Sequence, residues 1–181
     1  MRLLALSLAL CVPALAASGQ DTDSLQQTVE AYLGSIDTPI PDARWKALGT
    51  EAGPLLASIV NNDDGLPSRR ARALHGLSIA DPQRAAPLAS ALAARVSEPL
   101  VVRSAAVRAV ARTLPPAEAV AVLQPVLDTP CAPLQKRTAE ALARVGPQGC
   151  RAVQAHVAKL SGDARAPFTQ ALTGCTNSAA R

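Results

Sequence analysis

The chain has 181 residues, 49% hydrophobic and 18% charged, with a formal net charge of +4, a balance that belongs to a folded domain and excludes a disordered chain. Tyr32, Trp45 and Phe168 are its whole aromatic supply; sheet sandwiches and barrels favour β-branched and aromatic residues, so the composition points to an all-α fold. Charge is unevenly placed, with −6 over residues 17–66 and +9 over residues 67–181, which reads first as a solvated face and second as a surface for an acidic protein partner.

In chain order, Arg2 precedes an apolar run from Leu3 to Ala17. A membrane-crossing helix needs about 20 apolar residues, so this run is too short. Ala14-Leu15-Ala16 supplies the small residues a signal peptidase reads. Residues 1–16 are therefore expected to be a signal peptide, giving a periplasmic or secreted chain with no transmembrane segment. Cys11 follows Leu10, not the small residue a lipoprotein site wants, so no lipid anchor is expected. Residues 17–37 form an N-terminal segment whose helix is expected to start at Asp23 or Ser24, both good caps, and to carry Leu25, Val29, Tyr32, Leu33 and Ile36.

Thr38-Pro39-Ile40-Pro41 ends that helix, and a series of similar helical hairpins follows. Each opens with a basic residue leading to a small–large pair: Arg44 to Leu48, Arg70 to Leu74, Arg103 to Val107 and Arg137 to Leu142. The large positions recur at intervals of 26, 33 and 35 residues, an imperfect repeat of the size used by helical arrays. Gly53-Pro54, Asp81-Pro82, Pro115-Pro116 and Gly146-Pro147 punctuate the step from first to second helix, since proline at a helix start loses no helical hydrogen bond. Pro87 and Pro125 fall inside second helices and are expected to bend or shorten them.

These copies, with Asp37…Arg44, Asp64…Arg70, Glu98…Arg103 and Asp128…Arg137 as acid-to-arginine steps, resemble HEAT repeats of the short bacterial kind, called phycobilisome-lyase HEAT-like. The resemblance covers residues 38–175, leaving 176–181 as a tail. It implies an α-solenoid of about four helix pairs, preceded by an N-terminal helix and closed by a C-terminal capping helix. It also implies that Arg70, Arg103 and Arg137 bond between repeats, and that second helices line a concave contact surface. Gln83, Arg84, Ser90, Arg95, Gln124, Arg151, Gln154 and Lys159 would lie there, with Arg84, Arg95, Arg151 and Lys159 as the binding cations.

A catalytic centre needs converging groups. His75 and His156 each stand alone on an expected helix, and neither Gly-x-Ser-x-Gly nor His-Glu-x-x-His occurs. Cys150 and His156 are six apart, on different sides of one helix, so no metal or cofactor is expected. Nucleic acid is not expected either, with so few aromatics for base stacking. The expected function is an exported, non-catalytic interaction scaffold. A structural accessory of an envelope assembly and a bilin-lyase-like enzyme are the alternatives.

Export would leave Cys131, Cys150 and Cys175, which allow three pairings. With a helix over 148–160, a turn at 161–163 and a last helix over 164–174, antiparallel register sets Cys150 opposite Cys175. Cys131 would stand about one helix length, roughly 18 Å, from Cys150. Two reduced, buried cysteines are the alternative to a disulfide.

Overall fold

The computed structural model describes residues 18–35 and 38–179, with side chains over 23–35 and 38–176. The expected signal peptide, with its cleavage site, and Ile36 and Asp37 lie outside the described residues. Ten α-helices and two 3-10 turns make up the described fold, and no strand occurs among the described residues. The described fold is all-helical, as the composition suggests.

Helix α1 is Ser18–Gly34, so Asp23 and Ser24 sit inside it and do not cap it. Four helical pairs follow: α2 (Asp42–Ala47) with α3 (Gly53–Val60), α4 (Pro67–Ala80) with α5 (Pro82–Ala94), α6 (Leu100–Thr113) with α7 (Pro116–Leu127), and α8 (Ala132–Val145) with α9 (Pro147–Val157). Most of the expected prolines stand in the first turn of α3, α5, α7 and α9, where the missing N–H has no helical partner to lose. Helix α5 runs through Pro87, whereas α7 ends two residues after Pro125. The last segment begins as a 3-10 turn, Gly162–Phe168, containing Pro167, and becomes α10 (Thr169–Ala179). It therefore turns α-helical later than the sequence suggests.

Packing follows chain order. Helices α2, α4, α6, α8 and α10 touch in succession, and so do α3, α5, α7 and α9. The seam between α4, α5 and α6 is built mainly of small side chains: Ala73, Ala85, Ala89, Ala93, Ala105 and Ala106 are all buried. Alanine lets helix axes approach closely, and the missing bulk comes from Leu74, Leu77, Val107 and Val110. Trp45 is the largest buried side chain. Its ring meets Tyr32 edge-on at 5.2 Å, and a Cβ placed on Gly76 would come within 2.5 Å of it. Helices α8 and α9 approach closely at Gly149, where a Cβ would overlap the Leu142 carbonyl.

One polar device recurs along the first helices. Arg70 Nε donates to the Val60 carbonyl at 2.9 Å, and Arg103 donates through Nε and Nη2 to the Ala93 carbonyl at 3.3 and 3.2 Å. Gln135 Nε2 donates to the Leu127 carbonyl at 2.9 Å. Each donor is the fourth residue of its helix, and each acceptor lies in the last two residues of the helix before it. Those carbonyls have no partner within their own helix, so the donors satisfy groups that burial would otherwise strand. Arg137 does not do this. It is exposed and bonds Glu140 one turn along its own helix at 3.3 Å. The fourth copy is registered two residues earlier than its arginine suggests, and the donors recur at 33 and 32 residues.

Candidate functional site

The four cations expected to form a binding surface stand on or just beyond second helices, in two different circumstances. Arg84, on α5, is held by Asp81, with Nε 3.0 Å from Oδ2, and lines a shallow cavity of about 670 Å³ with Gln83, Thr50 and Asn61. Asp81 also caps α5 through the Arg84 backbone N–H, which places both ends of this pair. Arg95, just past the end of α5, donates to Glu98 at 2.8 Å and lies 4.0 Å from Asp63. Glu98 is buried and also accepts from Arg70, so Arg95 belongs to a structural ion network. Arg151 on α9 and Lys159 beyond its end are exposed. Two of the four cations are thus already engaged by carboxylates, and Arg151 and Lys159 are separated from Arg84 by α7.

Cys150 and Cys175 stand at disulfide distance, with Cα atoms 5.5 Å apart. The hairpin register found this pair although the last α-helix begins later than expected. The 3-10 turn takes up the difference without moving Cys175 off the buried stripe of Phe168 and Ala171. Cys131, half-buried at the start of α8, is left out of the pair.

Both histidines are partly buried, each beside one aspartate. His156 Nδ1 is 3.3 Å from Asp128, and its ring packs on Phe168 with centroids 5.1 Å apart. His75 Nε2 lies 3.5 Å from Asp42, which also accepts from Arg112 at 2.8 Å. The bond from Arg112 holds the Asp42 carboxyl below its ordinary value. Burial, and next the Arg112 charge, push the His75 imidazole below 6.5, with Asp42 opposing. A depressed imidazole pKa means that the unfolded chain takes up the proton first. Its cost to the fold is absent well above pH 6.5 and grows as pH falls through that value. Urea midpoints should therefore drop between pH 7.5 and 5.5, and His75→Gln should flatten that drop. An unaltered slope in the variant would remove His75 as its source.

Among the described residues, no group of three or more His, Cys, Asp or Glu side chains could hold a metal ion, and no helix is long and apolar enough to cross a membrane. Comparison of the chain with family models, curated proteins and solved structures finds no match.

Proposed function

We propose that the protein is an exported, non-catalytic scaffold built from HEAT-like helix pairs, and that it binds a protein partner through the exposed face of its second helices. The observation that carries this reading is a set of exposed polar side chains on adjacent second helices. Gln83 and Arg84 on α5, Gln124 on α7, and Arg151 and Gln154 on α9 are all exposed on helices that pack side by side. The recurrent fourth-position donors and the succession of like helices support a solenoid, in which each pair buries its faces only against neighbours. These helices, which would line the concave face of such a solenoid, present hydrogen-bonding and cationic groups that suit an acidic protein.

Charge reversal tests it. Arg84→Glu, Arg151→Glu and Lys159→Glu together should abolish salt-sensitive retention of partners from an envelope extract. Exposed charges are screened beyond about 8 Å at physiological ionic strength, so the parent interaction should weaken as salt rises. Arg95 is left unchanged, because its loss would disturb the buried Glu98. Retention that survives the triple reversal would move the interface to another face.

A further inference from the structure

The row of first helices carries a second feature. Two adjoining cavities of about 430 and about 270 Å³ open along α4 and α6 and share His75 and Arg108 in their walls. The larger reaches Pro39, Ile40 and Trp45. The smaller has the buried Ala105, Ala109 and Ala141 at its base, with Arg112 and Arg144 beside Arg108. Small side chains create the depression, and long basic ones rise around it.

The charges there are unbalanced. Asp42 is engaged by Arg112 and His75, and Glu140, one helical turn before Arg144, by Arg137. Arg108 and Arg144 make no hydrogen bond or ion pair with any described residue, although each neighbours other arginines. Burial, and then the charges of Arg137 and Arg144, hold the Arg108 guanidinium below its ordinary value. Arg108 and Arg144 are both exposed, and cations set against like charges repel one another, a cost that a bound oxyanion would relieve. Guanidinium groups also match carboxylate and phosphate oxygens in a two-pronged geometry.

We infer that the two cavities form one site for an amphipathic organic anion, its carboxylate or phosphate group between Arg108 and Arg144 and its apolar body beside Ile40 and Trp45. Together the cavities fall in the roughly 300–1,000 Å³ range of small-molecule sites. The site is independent of any protein partner on the α5, α7 and α9 face, and its test involves no such partner.

Titration calorimetry of the purified chain with octanoate, octyl phosphate, octanol and inorganic phosphate decides the matter. At least one of the two amphiphilic anions should bind, and which one separates a carboxylate from a phosphate ligand. Octanol should give no measurable heat, and inorganic phosphate should bind more weakly because it leaves the Trp45 cavity empty. Arg108→Gln should weaken the bound amphiphile about tenfold or more. The variant should fold as well as the parent, since Arg108 supports no bond to any described residue. Arg151→Gln makes the same charge change on α9 and should leave affinity unaltered. The assignment is overturned if neither amphiphile binds, if octanol or inorganic phosphate binds as tightly, or if both variants weaken binding equally.

Discussion

Replacing Arg70 by alanine is expected to lower the free energy of unfolding by about 3–5 kcal/mol, read as a shift in urea midpoint. Arg70 is 3% exposed and holds three groups: the Val60 carbonyl at the end of α3, Asp63 at 2.7 Å and Glu98 at 3.0 and 3.2 Å. Alanine would leave the buried Glu98 with only Arg95 and strand the last carbonyl of α3. Arg70→Lys should recover only part of the loss, because an ammonium cannot present the planar fork that meets Glu98 and Val60 together. Arg70→Met with Glu98→Leu should recover more, since it removes both buried charges at once. Arg137→Ala serves as the contrast. Its exposed pair with Glu140 lies within one helix, and its loss should cost less than about 1 kcal/mol. If Arg70→Ala cost no more than Arg137→Ala, Glu98 would have to regain water with little rearrangement.

The second large effect concerns Cys150 and Cys175. Peptide mapping without reductant should recover them as one linked pair, and the double alanine variant should lose about 3 kcal/mol by the chain-entropy argument for their 25-residue separation. The loss should fall first on the last segment. The 3-10 turn and α10 pack on α8 and α9, and Phe168 is their largest fully buried side chain. Amides over 169–176 should therefore exchange hydrogen faster in the variant, while those of α4 and α6 stay protected. A recovered peptide linking Cys131 to either cysteine would overturn this pairing.

Helix pairs, their proline starts and the Cys150–Cys175 register were legible because each depends on local spacing. A proline in a first turn, or two residues opposed across a short hairpin, needs no knowledge of the rest of the molecule. Arg70 and Arg103 were expected as inter-helix donors only through the resemblance to HEAT repeats. Gln135 was missed because a search for basic residues passes over an amide that fills the same position, and the arginine two residues later drew attention instead. The start of α1 was misplaced because Asp23 and Ser24 are good caps that the helix overruns. The grouping of Asp42, His75, Arg108 and Arg144 was not legible at all. These residues come from four different helices spread over about a hundred residues, and only packing brings them to one face. The charge asymmetry did leave a trace, since Glu30–Arg69 and Asp42–Arg112 join the acidic start to the basic remainder.

Trp45 is the only tryptophan, and it is 1% exposed between Tyr32 and Gly76. Its emission therefore reports on the α1, α2 and α4 end alone, while the far end, with Phe168 as its single aromatic, is optically silent at tryptophan wavelengths. An array stabilised mainly between neighbours can melt from one end. Fluorescence and far-ultraviolet circular dichroism would then give separate transitions, and their agreement or divergence measures how far cooperativity extends along the chain.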